Sequence, residues 1–160
     1  MTAAIHNVSQ ICDTLVRMRD GDDHYVDTSA ALKLLVEEEH SRAFAAFYDS
    51  SGGASWVSSA LLRIEMTRTV ARTWPALAPD ARELLRAFDY ITVDDDIVES
   101  AMSEPDRLLR SLDAIHLATA RVLGTDLTAF ATYDARLGDA ARDAGMEVLA
   151  PADSSRRVGG

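Results

Sequence analysis

The sequence predicts a three-layer α/β fold, with a mainly parallel central sheet of about five strands and helices on both faces. Short apolar runs alternate with segments of helical periodicity, the pattern of parallel-sheet proteins. Two of those runs close on an aspartate just where a helix begins, at the sheet edge where open α/β folds bind ligands. The length of 160 residues suits one domain around one sizeable core.

Five runs read as short buried strands: "HYVDT" (24–28), "ASWVS" (54–58), "YITVD" (90–94), "AFATY" (129–133) and "EVLAP" (147–151). Helical periodicity covers roughly 29–50, 59–74, 79–88, 95–102, 107–123 and 135–144. Each crossover between parallel strands is expected to be right-handed. Ser58 stands as an N-cap before Leu61, Leu62 and Ile64. Pro75 and Pro79 punctuate the next connection. "SEPD" at 103–106 reads as a capping box, or Ser111 caps a later start. Gly145 fits the position just past a helix end, before the last strand.

These elements set a domain at 24–151. Residues 152–160, ending "SSRRVGG", read as a flexible tail. Residues 1–23 form an extension in which Val8, Ile11, Cys12, Leu15 and Val16 fall at helical spacing before a "RDGDDH" linker. That extension either covers an interface or adds little.

Hydrophobic residues at 48% and charged residues at 26% mark a globular chain. No apolar run approaches the ~18 residues of a membrane span, and no basic-then-apolar leader opens the chain. The lone Cys12 rules out an internal disulfide framework and a multi-cysteine zinc site. The expected location is therefore the cytosol. A net charge of −10 argues against a protein that coats nucleic acid, because phosphate contacts come from Lys and Arg. It leaves open a nuclease, whose metal site concentrates acids locally. Lys33 is the only lysine among sixteen basic residues, and arginine forks suit phosphate or carboxylate pairing.

Four acids stand out. Asp27 in "YVDTSA" and Asp134 in "ATYDARL" each follow a strand and open a helix. Each reads as a site residue or as a helix cap. Glu65 in "SALLRIEMTRT" shares its stripe with Leu61 and Leu62, on a side marked as buried by Leu61, Leu62, Ile64 and Met66. It reads as a site residue or as an edge partner of Arg68 or Arg63. In "LRSLDAIHLATA", Leu108, Leu112, Ile115 and Val122 set the apolar centre of the wheel, with Asp113 at its border. Asp113 is either a site residue or an ion-pair partner of Arg110 near a helix start. His116, nearer the centre, reads as a hydrogen-bonded core histidine.

Were the four to converge, each like-charge pair near 4 Å would cost about 4 kcal/mol at an effective dielectric of 20. Several pairs would consume most of a domain's ~5–15 kcal/mol of stability. Convergence therefore implies a divalent cation or raised pKa values. Oxygen-only ligands favour Mg²⁺ or Mn²⁺ over zinc, and such sites serve phosphoryl chemistry.

"YVDTSAAL", "SSALLRIEMTR", "LRSLDAIHLATA" and "TYDARLGDAARDAGMEVLAP", in this order, resemble the PIN-domain ribonucleases, specifically VapC-type toxins of toxin–antitoxin pairs. The resemblance covers about residues 24–151. It implies a PIN-like fold, Mg²⁺- or Mn²⁺-dependent endonucleolytic cleavage of RNA, and Asp27, Glu65, Asp113 and Asp134 as catalytic and metal-binding residues. Thr28 and Ser29 after Asp27, and Thr132 before Asp134, match the family and are carried as substrate-binding positions. Arg110 is expected to hold a phosphate oxygen. On this reading a cation, and not an arginine, is the main partner of Asp113. A cognate antitoxin and a homodimer are likewise implied. The leading extension departs from the family pattern, since such toxins usually begin near the first strand.

Other classes fit less well. A phospho-receiver domain needs a late lysine, and none follows Lys33. A haloacid-dehalogenase-like phosphatase needs an Asp at position 29, which is Ser. A non-catalytic module binding RNA or antitoxin, and a structure-specific DNA nuclease, remain as alternatives.

Overall fold

Five short strands form one parallel sheet in the order β3-β2-β1-β4-β5. The structure, a computed structural model, describes residues 22–154. Along the chain come β1 (Asp23–Val26), α1 (Thr28–Lys33), α2 (Ser41–Ser50), β2 (Ser55–Ser59), α3 (Leu61–Thr73) and a 3₁₀ turn at Pro75–Leu77. Then follow α4 (Ala78–Leu85), β3 (Asp89–Ile91), α5 (Asp95–Met102), α6 (Ser111–Arg121), a second 3₁₀ turn at Gly124–Asp126, β4 (Leu127–Ala131), α7 (Ala135–Asp143) and β5 (Val148–Leu149). The predicted α/β class and the parallel sheet are observed. The leading extension, up to residue 21, and the end of the tail, 155–160, lie outside the described residues.

Alternation along the strands sorts the core onto two faces. Val26, Trp56 and Ala131 face a cluster completed by Leu62, Met66 and Val70 of α3 and by Phe44 of α2. Tyr25, Val57 and Phe130 face the other cluster, with Leu117 and Ala120 of α6 and Leu137 of α7. Tyr25 pairs with Val57 on one side and Phe130 on the other, so these three stack in one row across the sheet.

The strand order has one functional consequence. The chain runs from β1 outward through β2 to β3, then returns to lay β4 on the free side of β1. Connections therefore leave β1 and β4 in opposite directions, and a crevice opens beyond their carboxyl ends. Asp27 follows β1 directly, its amide donating to Ala131 O at the end of β4 (3.2 Å).

Several expected boundaries move. The single helix foreseen over 29–50 is two helices, broken where His40 takes φ +67° before α2. Asp23, read only as linker, is buried in β1 with His24. Ser58 does not cap α3, because β2 runs on through Ser59; the Ser58 hydroxyl instead donates to Val26 O (2.6 Å). Neither "SEPD" nor Ser111 caps α6, whose N-cap is Arg110, and Ser103 closes α5 instead. Gly145 does follow the end of α7, at φ +84°, as read.

The wheel for α6 turns the other way. Leu108, Leu112 and Val122 are exposed, whereas Ala114, His116, Leu117, Ala118, Thr119 and Ala120 are buried. Small and polar residues pack here because α6 lies close against β2 and α5. On α3 the buried stripe is Leu62, Met66 and Val70 at helical spacing, and Ile64 is exposed.

Candidate active site

The crevice beyond β1 and β4 is built around Asp27. The carboxylate caps α1, accepting from the Ala30 amide (2.9 Å). The Ser29 hydroxyl donates across both its oxygens (2.8 and 2.9 Å), and the Thr132 hydroxyl donates to Oδ2 (2.6 Å). Asp27 is only 3% exposed. Burial pushes its pKa above the ordinary carboxylate value, while the nearby His116 and then the Thr132, Ala30 and Ser29 donors pull it back.

Thr132 joins this acid to the next. Its oxygen accepts from the Asp134 amide (3.1 Å), and Ser29 Oγ accepts from the Tyr133 amide (2.9 Å). The segment leaving β4 is thus tied to the segment leaving β1. Asp134 caps α7 with Oδ1, accepting from the Leu137 amide (2.9 Å). Its Oδ2 accepts from Arg110 Nη2 (3.0 Å), and Arg110 Nε donates to Asp113 Oδ2 (3.0 Å). One guanidinium therefore bridges acids from the starts of α6 and α7. Hydrogen bonding and charge from Asp113, then the charge of Asp134, hold the Arg110 proton more firmly than usual.

Glu65 enters from α3. Its Oε1 accepts from His116 Nε2–H (2.6 Å), and His116 Nδ1 shares a hydrogen bond with the Tyr25 hydroxyl (2.8 Å). The first direction follows from the partner. A carboxylate only accepts, so Nε2 carries a proton. The Tyr25 oxygen in turn accepts from the Ser59 amide (3.1 Å). His116 is therefore a hydrogen-bonded core histidine, as its position on the helix suggested.

The structure thus brings Asp27, Ser29, Thr132 and Asp134 into direct contact and links Asp113 to them through Arg110. Glu65 joins through His116, three residues beyond Asp113 on α6. Glu65 does not pair with Arg63 or Arg68: Arg63 lies over the Tyr90 ring (4.9 Å), and His116 takes the carboxylate. Asp113 accepts from Arg110, whose N-cap position aims the fork along the first turn of α6. The hydroxyls of Ser29 and Thr132 turn onto Asp27, and Thr28 Oγ1 is buried with no partner among the described residues.

The donor set is all oxygen, as Mg²⁺ or Mn²⁺ requires. The geometry fits less closely: among the described residues, no three His, Cys, Asp or Glu side chains are grouped to hold an ion. The role of Tyr25 was missed from sequence, as was the contact of His116 with Glu65. The available signal was the spacing of Asp113 and His116, which puts both near one face of a helix.

A parallel sheet with carboxylates set around its switch point defines an α/β domain with an acidic, oxygen-donor crevice. The chain belongs to the PIN-domain family, whose sequence model matches residues 24–143. Ribonuclease VapC35 of Mycobacterium tuberculosis is 40% identical over 129 residues, covering 79% of this chain and 96% of the relative. The structure of M. tuberculosis VapC20, a sarcin-ricin loop cleaving toxin, superposes with a TM-score of 0.65 at 18% identity, over 80% of this chain and 99% of that one. A toxin–antitoxin complex from Klebsiella pneumoniae shares the fold at TM-score 0.56 and 20% identity, over 69% of this chain and 86% of that one. The family and fold expected from the motifs are borne out.

Proposed function

We propose that this chain is a divalent-metal-dependent endoribonuclease and the toxin of a toxin–antitoxin pair. One observation carries the reading: acids from the ends of β1 and β4 and from the start of α6 are held in one hydrogen-bonded array at the switch-point crevice. The similarity to VapC ribonucleases over nearly the whole of a relative supports it.

Asp27, Asp113 and Asp134 would hold the cation, with Glu65 in support. A bound Mg²⁺ or Mn²⁺ supplies charge neutralisation at a phosphodiester and lowers the pKa of water. The chain's own groups do the rest. Ser29, Thr132 and the Ala30 amide fix the Asp27 carboxylate in one orientation, so little reorganisation is needed when charge arrives. His116, anchored by Tyr25, orients Glu65. Arg110 offers a fork suited to a phosphate oxygen pair once its carboxylates are otherwise engaged.

A protein partner, the cognate antitoxin, fits the exposed apolar side chains Ile64, Met102, Leu108, Leu112 and Val122. A homodimer draws on the same surface property. No helix among the described residues is long and apolar enough to cross a membrane.

The test is purified chain, free of partner, incubated with total RNA and either Mg²⁺ or Mn²⁺, beside Asp27→Asn and Asp113→Asn. Cuts that need metal and vanish in both variants support the proposal. Equal cutting by the variants, or cutting unaffected by EDTA, overturns it.

A further inference from the structure

Arg110 is placed unlike an ordinary surface cation. An exposed i,i+3 pair with Asp113 alone would hold little structure together. The second bond, to Asp134, reaches 24 residues along the chain and onto a different helix. Both carboxylates belong to the acidic set of the crevice. A guanidinium seated on Asp113 Oδ2 and Asp134 Oδ2 uses lone pairs that a divalent cation would need, and it brings a positive charge to the same place. Two of the crevice acids are thus turned onto Arg110.

The arm is also free to leave. The Arg110 side chain is 71% exposed, against 15% for Asp113 and 26% for Asp134. Its backbone is the extended N-cap of α6, with φ −67° and ψ 152°, and is held by its carbonyl accepting from the Ala114 amide (2.9 Å), so the side chain can move without the backbone. The preceding loop is steadied separately, by Arg136 Nη1 donating to Leu108 O (3.0 Å). Swinging Arg110 outward therefore breaks two solvent-accessible bonds and leaves the fold intact.

We propose that Arg110 is a built-in competitor for the cation, closing Asp113 and Asp134 until divalent metal displaces it. The proposal rests on the metal-dependent reading above. Displacement leaves the guanidinium at the crevice mouth, beside the place where an RNA phosphate would lie. Metal loading and readiness for substrate are thereby coupled through one side chain.

The test is direct metal binding, read from the free Mn²⁺ signal in electron paramagnetic resonance, for the wild-type chain, Arg110→Gln and Asp113→Asn. Removing a unit charge a few ångströms from a dication predicts about tenfold tighter Mn²⁺ binding by Arg110→Gln. Asp113→Asn loses binding. In parallel, the Arg110 Nε–H signal in ¹⁵N spectra is expected to shift on adding Mg²⁺, which reports displacement without activity. Unchanged or weaker Mn²⁺ binding by Arg110→Gln overturns the competitor while leaving the metal site standing, provided Asp113→Asn still loses binding. An Arg110 signal that stays put at saturating Mg²⁺ overturns it as well. Mn²⁺ binding by Asp113→Asn equal to wild type, or none by any of the three, overturns the metal reading and the competitor together.

Discussion

Replacing Thr132 by valine tests whether the array around Asp27 is held as tightly as its geometry indicates. The swap keeps the branched shape and removes one oxygen. Thr132 is 2% exposed, so solvent does not screen the loss. Its hydroxyl donates to Asp27 Oδ2 (2.6 Å) and accepts from the Asp134 amide (3.1 Å). A hydrogen bond to a charged group contributes about 1.5–3 kcal/mol, and a buried amide left without a partner costs about 1–3 kcal/mol. Asp27 keeps Ser29 and Ala30 as donors, and the Asp134 amide lies near the surface, so the expected cost is about 3 kcal/mol. With a urea slope of roughly 1–3 kcal/mol/M, the unfolding midpoint falls by about 1–3 M at unchanged slope. Thr132→Ser restores most of it, since the hydroxyl returns. A midpoint within a few tenths of wild type for Thr132→Val refutes the reasoning, and so does a Thr132→Ser variant no better than valine.

Asp27→Asn is expected to abolish RNA cleavage while leaving the melting temperature unchanged or raised, because it removes a desolvated charge and hydroxyl donors can turn to suit the amide; a large drop in calorimetric melting temperature would contradict this. All four tyrosines are shifted up by burial, Tyr133 to about 12. The folded state then keeps phenolic protons that the unfolded chain releases near pH 10, so stability is full below that pH and declines as pH rises above it. Absorbance near 295 nm is expected to rise together with unfolding; a phenolic titration centred at pH 10 with the fold intact would refute the burial argument. Gly145→Ala is expected to cost about 1 kcal/mol, although open space surrounds the added carbon, because φ +84° disfavours a side chain; an unchanged denaturation midpoint would count against it.

Asp27 and Asp134 were legible because a strand end followed by a helix start is a local pattern, and one residue can serve as cap and as site acid. Both do cap, at α1 and α7. Adjacency of β1 and β4 was not legible, since strand order is set by packing across the whole sheet. Only with that order do Thr132 and Ser29 reveal their purpose, holding a carboxylate 105 residues from one of them. The α6 wheel failed for a related reason. Counting apolar residues favours the leucine side, yet the helix rests on its alanines, which allow close approach to the sheet. The leucines point outward, where a partner chain rather than the core is their natural use. His116 was placed correctly because burial of an imidazole demands partners, but which partners depended on Tyr25 and Glu65, both distant in sequence.

The crevice divides its acids by stiffness, and the division follows from where each is rooted. Asp27 sits at the switch point itself, gripped by donors from two strand ends. Asp113 and Asp134 sit further out, at helix starts, tied to one exposed arginine. A site that must admit a cation benefits from this arrangement. If every acid were as closely held as Asp27, the repulsion would have to be carried by the fold at all times. If every acid were paired with an exposed arginine, nothing would fix the geometry when the pairings opened. One rigid carboxylate provides the reference position, and two releasable ones complete the set. The array should therefore respond unequally to substitution: changes around Asp27 act on stability, while changes at Arg110 act on cation affinity with the fold unchanged.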